Sequence, residues 1–215
     1  MLTMTKIYLS SPHMGGSEQK YVNDAFETNW IAPLGPHVDG FEEAIERYLN
    51  ENIYAAVLSS GTASIHMALQ LLGVGKGDDV LCQSFTFSAS ANPIVYQGAH
   101  PVFIDSETDT WNMSPELLEK AIIDRISKGK KPKAIIMVHL YGMPAKIDEI
   151  LEIAHKYQIP VVEDAAEARL DGQRQSLHFC RESACNDFHR STLRRIRRMS
   201  TSKFWFLEST QRIWI

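Results

Sequence analysis

Short apolar runs alternate with segments of helical periodicity along most of this chain. The runs predict buried strands because they are short and end in small or polar residues; they cover 54–59, 79–83, 101–105, 134–138 and 159–163. Helices are predicted between them over 63–72, 86–96 and 147–157. A further helix begins at Ser114-Pro115, with serine as the N-cap and proline at the first helical position.

This alternation predicts an α/β fold with a mostly parallel sheet and flanking helices. Ligands of such sheets collect at the carboxyl ends of the strands. The rule selects three places in the sequence: the turn Ser60-Gly61-Thr62, the segment after Gln83, and Asp164. The sequence therefore predicts that a ligand binds at these three strand ends.

The first place is a tight turn from a strand into a helix. Backbone N–H groups and the helix dipole favour an anion at such a turn, most often a phosphate. Gly61 allows close approach, and the neighbouring hydroxyl groups add donors. The alternative is a plain N-cap in a turn of small residues. The turn is neither a P-loop nor a dinucleotide-binding glycine motif.

The other two places hold a carboxylate and an aromatic segment. Asp164 ends an apolar strand, where burial of a carboxylate requires a cation or several donors. A protonated pyridine nitrogen is one such cation; a metal ligand and a helix cap are the alternatives. Phe87 is suited either to stack on a flat ring or to pack in the core. Together the three places match the phosphate, ring face and ring nitrogen of pyridoxal 5'-phosphate.

Longer motifs also follow one another in order over about residues 6–168. They are NWIAPLGP at 29–36, FE at 41–42 opening a helix, SSGTAS at 59–64, FTF at 85–87 with NPI at 92–94, FID at 103–105, HLYG at 139–142 and VEDAAEA at 162–168. This set resembles the DegT/DnrJ/EryC1/StrS family of sugar aminotransferases, a branch of the fold-type I enzymes that use pyridoxal phosphate.

The resemblance implies a fold-type I large domain that is truncated, with the small C-terminal domain absent. It implies a homodimer that transfers an amino group between glutamate and a nucleotide-linked keto-sugar, in surface polysaccharide or glycan biosynthesis. The family motifs imply that the phosphate is bound by Gly61 and Thr62, that Phe87 stacks on the ring, that Asp164 pairs with the ring nitrogen and that Glu167 lies near the ring hydroxyl. Trp30 and Pro33, in the first motif, are expected near the substrate.

The charge of the chain changes sharply where the motifs end. Residues 1–168 contain 10 lysines, 2 arginines and 22 acidic residues, a net charge of −10, whereas residues 169–215 contain 1 lysine, 9 arginines and 4 acidic residues, a net charge of +6. We therefore divide the chain into a partial aminotransferase domain over 1–168 and an unmatched basic tail over 169–215, which we expect to be frameshifted and disordered. The alternative is a genuine, divergent C-terminus whose arginine run 190–198 forms a solvated helix face or contacts nucleic acid.

The family also has a Schiff-base lysine shortly after the aspartate, and the tail does not match that motif. Lys203 is the only lysine after residue 156 and lies too far along the chain to be assigned the role. His178 and His189 lack the context of relatives in which histidine replaces this lysine. We therefore expect an aminotransferase by family that is inactive as written. The alternative is a non-catalytic fragment or pseudoenzyme that binds pyridoxal phosphate or a nucleotide sugar.

Location and partners follow from simpler features. No run approaches the about 18 apolar residues that span a membrane. Cys82, Cys180 and Cys185 do not suggest a disulfide framework. We therefore expect a cytoplasmic protein with no membrane partner, and the net charge of −4 does not favour nucleic acid.

Overall fold

The structure is a computed structural model that describes residues 14–49 and 53–167, together with the backbone of 202–207 and 212–214. Helices α1 (Glu18–Glu27) and α2 (Pro36–Leu49) precede strand β1 (Ile53–Leu58). The remaining body contains α3 (Gly61–Leu71), β2 (Asp79–Gln83), α4 (Asn92–Tyr96), β3 (His100–Ile104), α5 (Pro115–Ser127), β4 (Ala134–Val138), α6 (Ile147–Tyr157) and β5 (Val161–Asp164). No helix of these residues is long and apolar enough to cross a membrane.

The strands form one sheet in the order β1-β6-β7-β5-β4-β2-β3, where β6 is Ser202–Leu207 and β7 is Arg212–Trp214. Strands β7, β5, β4, β2 and β3 pair in parallel, whereas β6 runs antiparallel to both of its neighbours. The predicted α/β fold with a mostly parallel sheet is therefore confirmed. Because β5 and β4 are parallel neighbours, Asp164 lies in register with Val138 at a common carboxyl edge.

Helices cover both faces of the sheet, and alternate strand residues supply the two cores. One core packs side chains of α3 and α4, such as Ile65 and Ile94, against Val162 of β5. The other packs side chains of α5 and α6, such as Leu118 and Ile150, against the opposite face of the strands. The central strands β2, β4 and β5 are buried along their whole length because both faces are covered. This sandwich holds the carboxyl ends of the strands in fixed positions.

Helix α2 covers the outer edge of β1 through two glutamate side chains. Glu42 Oε1 accepts the Val57 N–H at 2.8 Å, and Glu46 Oε1 accepts the Ala55 N–H at 2.9 Å. An uncovered edge strand presents unpaired backbone groups to other chains. The two carboxylates therefore satisfy the edge donors of the strand that leads into the turn at Ser60.

Two predicted helix boundaries differ from the structure. The helix predicted over 86–96 is a short 3₁₀ turn at Ser88–Ser90 followed by α4, which begins only at Asn92. The helix predicted to open at 41–42 begins at Pro36, where proline is well suited to the first helical turn. The Ser114 cap is confirmed, since its side chain accepts the Leu117 N–H.

Two short strands come from the segment that we expected to be disordered. Strands β6 and β7 lie between β1 and β5 in the sheet, and Lys203 is in register with Val57. The division of the chain at residue 168 and the expected disorder of the tail stay predictions. His178, His189, Cys180, Cys185 and the arginine run 190–198 lie outside the described residues.

Candidate functional site

The predicted phosphate turn joins β1 to α3. Ser60 has an extended backbone and its Oγ accepts the Ala63 N–H at 3.2 Å, so it is the N-cap of α3. Gly61 and Thr62 are the first two helical residues, and their N–H groups have no carbonyl one turn earlier within the helix. A Cβ added at Gly61 would meet no heavy atom within 4 Å. The turn therefore combines an N-cap with open backbone donors at the positive end of a helix dipole.

The carboxylate of Asp164 is buried and is held by two donors. Its side chain is 8% exposed. Oδ2 accepts the Ser90 hydroxyl at 2.8 Å and Oδ1 accepts the Ala166 N–H at 3.3 Å. Among the residues that the structure describes, no Lys, Arg or His forms an ion pair with it. A carboxylate in this setting is suited to bind a cation from a ligand.

The negative charge of Asp164 also acts on a neighbouring thiol. Burial, and then the charge of Asp164, raise the pKa of Cys82 from 9.0 to about 12. Cys82 lies on β2 and belongs to the same core as Val162. The thiol therefore stays protonated at neutral pH and is not a candidate nucleophile.

Phe87 lies on a turn that is hydrogen-bonded to the residue holding Asp164. The Phe87 side chain is 80% exposed, so it does not pack in the core of the described body. Its carbonyl accepts the Ser90 N–H at 3.0 Å. Ser90 therefore links the exposed aromatic ring and the buried carboxylate. The alternative of a core phenylalanine does not hold.

A buried amide network fixes the loops around these strand ends. Asn112 Oδ1 accepts the Leu140 N–H at 2.8 Å, and Asn112 Nδ2 donates to the Met143 carbonyl at 2.9 Å. Gln83 Oε1 accepts the Met113 N–H at 2.9 Å, and its Nε2 lies 3.3 Å from Asn112 Oδ1. The loops that follow β2, β3 and β4 are therefore joined through two side-chain amides.

His139 joins the end of β4 to β5 through two hydrogen bonds, and to the loop before α6 through a third. Its N–H donates to the Asp164 carbonyl at 3.1 Å. Its Nδ1 accepts the Ala145 N–H at 3.0 Å, so in the neutral ring the proton is on Nε2, which lies 2.9 Å from Glu163 Oε1. Glu163 belongs to the face opposite Asp164, because successive strand residues point to opposite faces. The His139–Glu163 pair therefore holds the end of β5 from the face of the sheet opposite the Asp164 side chain.

The remaining predicted site residues lie at the margins. Glu167 is exposed, and its carbonyl oxygen lies 2.7 Å from where a Cβ at Gly142 would be, so the HLYG loop needs glycine there. Trp30 and Pro33 are both exposed. The Trp30 ring packs on Gly35, and the Trp30 backbone N–H donates to the Ala25 carbonyl at 2.8 Å. Trp30 is therefore anchored beside α1, and the expected place of Trp30 and Pro33 near a substrate stays a prediction.

The described residues fit pyridoxal phosphate better than a metal ion. No group of three or more His, Cys, Asp or Glu side chains that could hold a metal lies within the described ranges. The open helix terminus suits a phosphate, the exposed phenylalanine suits a ring face, and the buried carboxylate suits a protonated ring nitrogen. Sequence reasoning missed Ser90, His139 and the Glu163 side chain as supporting groups, because their partners are distant in the chain.

The chain is similar to known proteins over the same part that holds this site. Residues 12–174 match the model of the DegT/DnrJ/EryC1/StrS aminotransferase family. A Bacillus subtilis protein named "Putative pyridoxal phosphate-dependent aminotransferase EpsN" is 58% identical over 163 residues, 76% of this chain and 42% of that protein. The GDP-perosamine synthase of Escherichia coli O157:H7 is 39% identical over 77% of this chain and 43% of its own length. The chain thus spans less than half the length of these relatives.

A solved structure is similar to the same part of the chain. The ntda protein of Bacillus subtilis with bound cofactor PMP has a TM-score of 0.64 and 28% sequence identity to this chain. The match covers 76% of this chain and 38% of that protein. The likeness therefore concerns the body of the chain and not the full length of the neighbour.

Proposed function

Because this chain belongs to the DegT/DnrJ/EryC1/StrS aminotransferase family, we propose that its body is the cofactor-holding part of an aminotransferase that uses pyridoxal 5'-phosphate. The observation that carries the proposal is the Asp164 carboxylate, which is buried at a strand end with donors but no cation among the described residues. A protonated pyridine nitrogen supplies the missing positive charge.

The residues of this chain have separate tasks in the proposed site. The first N–H groups of α3, at Gly61 and Thr62, bind the phosphate with help from the helix dipole. Phe87 covers one ring face, and Asp164 keeps the ring nitrogen protonated. Glu167 lies near the ring hydroxyl. When bound, the cofactor supplies an electron-accepting ring that carries the amino group between donor and acceptor.

The proposed reaction transfers an amino group from glutamate to a nucleotide-linked keto-sugar in polysaccharide biosynthesis, in the cytoplasm. The relative named GDP-perosamine synthase supports this substrate class, and the name of EpsN supports the use of pyridoxal phosphate. Trp30 and Pro33 would contact the sugar nucleotide from the segment beside α1.

The proposed assembly is a homodimer. Helix α1 has no buried residue, and large apolar side chains are exposed on it and on the segment after it: Tyr21, Val22, Phe26, Trp30, Ile31 and Leu34. An apolar surface of this kind is typical of a protein–protein interface.

We further propose that the chain as written lacks the amine that attaches the cofactor covalently, and is therefore inactive. Several lysines of the body are engaged in ion pairs, such as Lys146 with Glu107 and Lys156 with Glu119. A frameshift near codon 169 explains the change in composition, and it predicts that another reading frame of the gene encodes a glycine-rich segment and a lysine. Such a chain would bind the cofactor without turnover, which is the second candidate function.

Lys203 is the residue that tests this point. Its backbone lies at the start of β6, beside Val57 and so near the turn at Ser60. We expect that borohydride reduction of the full chain with pyridoxal phosphate, followed by peptide mapping, fixes no cofactor on Lys203. A specific adduct there would refute the claim of inactivity and would make the tail a native part of the enzyme.

Binding itself is tested with pyridoxamine 5'-phosphate, which needs no lysine. We expect saturable binding that Asp164→Asn weakens about 10- to 150-fold, the loss expected for a hydrogen bond to a charged group. Asp148→Asn, an exposed aspartate at the start of α6, is the matched control and should leave the affinity unchanged. Equal affinity of wild type and Asp164→Asn would refute the proposed site.

A further inference from the structure

Ser90 is a fully buried hydroxyl at the centre of the candidate site. It is 0% exposed and lies on the short turn Ser88–Ser90 between β2 and α4. Its Oγ is 2.8 Å from Asp164 Oδ2 and 2.9 Å from Thr86 Oγ1. The family motifs quoted above assign no role to Ser90 or to Thr86. The three side chains form a continuous chain of hydrogen bonds.

The direction of this chain follows from the chemistry of its end. An ionised carboxylate only accepts hydrogen bonds, so the single Ser90 proton is donated to Asp164. Ser90 Oγ must then accept from Thr86, although the Thr86–Ser90 distance alone allows either donor. The order is therefore Thr86 to Ser90 to Asp164, and every hydroxyl proton points toward the carboxylate.

We propose that Ser90 is a positioning residue that orients the Asp164 carboxylate toward the ring nitrogen of a bound pyridoxamine or pyridoxal phosphate. The proposal rests on the proposed function of the same site. The Ser90 N–H also donates to the Phe87 carbonyl, so one residue holds both the carboxylate and the turn that carries the stacking ring. A displacement of this turn would move both contacts to the cofactor together.

The second restraint on Asp164 is weaker than the first. The Ala166 N–H lies 3.3 Å from Oδ1, near the upper limit for such a bond, whereas the Ser90 contact is 2.8 Å. A carboxylate has about four lone-pair sites, so two protein donors leave room for the ring N–H. Without Ser90, the carboxylate would have to lose its rotational freedom at the moment of binding.

Four variants separate the hydrogen bond from packing. Ser90→Ala removes the hydroxyl and leaves a space smaller than the volume that a water molecule needs. Ser90→Cys keeps the shape of the side chain with a somewhat larger atom and has only a weak donor. Thr86→Val keeps the shape of Thr86 and removes the group that directs Ser90. Ser88→Ala, an exposed serine on the same turn, is the matched control.

A thermal double-mutant cycle first tests the bond in the free protein. Melting temperatures are measured for wild type, Ser90→Ala, Asp164→Ala and the double variant of the full chain, because alanine removes both oxygens that could accept the Ser90 hydroxyl. If Ser90 donates to Asp164, the two changes are not additive. Additive changes would overturn the proposal without reference to any ligand.

Ligand affinity then tests positioning. Pyridoxamine 5'-phosphate is titrated in parallel with an analogue in which CH replaces the ring nitrogen. We expect Ser90→Ala and Ser90→Cys to weaken binding of pyridoxamine phosphate about 3- to 10-fold, within the range for an ordinary hydrogen bond. The loss is smaller than for Asp164→Asn because the charged contact itself remains. Thr86→Val should have a smaller effect of the same sign. The analogue should bind equally well to all of them, and Ser90→Ala should have no effect in the Asp164→Asn background.

The outcomes distinguish this inference from the proposed function. Equal losses for both ligands, or a Ser90→Cys variant that binds like wild type, would mean that Ser90 only fills space and would overturn the inference alone. If wild type binds pyridoxamine phosphate no better than inorganic phosphate, the proposed function fails and the inference fails with it. Discrimination between the ligands by wild type that is reduced in Ser90→Ala supports both.

Discussion

The substitution His139→Ala tests the contacts that hold the end of β5 from the face of the sheet opposite Asp164. It removes the donor to the Glu163 carboxylate and the acceptor of the Ala145 N–H. Both bonds are buried, since His139 is 8% exposed and Glu163 is 2% exposed. The Glu163 carboxylate and the Ala145 N–H therefore each lose one buried hydrogen bond in the variant.

The cost follows from these two bonds. A hydrogen bond to a charged group contributes about 1.5–3 kcal/mol, and an orphaned buried amide costs about 1–3 kcal/mol. We therefore expect His139→Ala to lower the free energy of unfolding by about 3–5 kcal/mol, a large part of the about 5–15 kcal/mol that holds a typical domain folded. For a chain of this size, that loss lowers the melting temperature by about 6–20 °C.

Chemical denaturation and thermal melting measure the loss, and two further variants locate it. His155→Ala, an exposed histidine on α6, should change stability by less than about 0.5 kcal/mol. His139→Asn retains a group that can bond the Ala145 N–H but not one that reaches Glu163, so its loss should be intermediate. A His139→Ala variant as stable as His155→Ala would refute the reasoning from these two bonds.

Two further predictions concern titratable groups. Glu107 has a pKa lowered from 4.5 to about 2, first by the Thr110 hydroxyl, so its ionised form stabilises the fold above pH 4.5 and that contribution is lost as the pH falls toward 2. The difference in melting temperature between wild type and Glu107→Gln should therefore shrink over this interval. A constant difference would contradict the assignment. Cys82 has a pKa raised to about 12, because it is buried beside Asp164. Mass mapping after iodoacetamide treatment at neutral pH should therefore find it unmodified in the folded protein and modified in denaturant. Rapid alkylation of the folded protein would contradict its burial.

Local patterns were sufficient to predict the layers of the fold. Strands β2 and β4 were predicted at their observed bounds, because each is a short apolar run buried on both faces. The cap at Ser114 followed from a serine–proline pair. The helix predicted over 86–96 is longer than the observed one, because the spacing of apolar residues does not reveal that residues 88–90 form a 3₁₀ turn.

The supporting contacts of the site were not predictable in the same way. The Ser90–Asp164 bond joins residues 74 positions apart, and the His139–Glu163 bond joins residues 24 apart. Neither depends on a periodic pattern, because each arises only when parallel strands bring their carboxyl ends together. The strand ends themselves were predictable, whereas the partners at those ends required the sheet order.

The state of the ring nitrogen tests the central claim most directly. Pyridoxamine 5'-phosphate labelled with ¹⁵N in the ring is added to wild type and to Asp164→Asn, and the ¹⁵N chemical shift of the bound ligand is recorded at neutral pH. We expect a protonated nitrogen in wild type and an unprotonated one in Asp164→Asn, because the buried carboxylate is the group that stabilises the proton. An unprotonated nitrogen in bound wild type, or the same shift in both proteins, would contradict the assignment of Asp164.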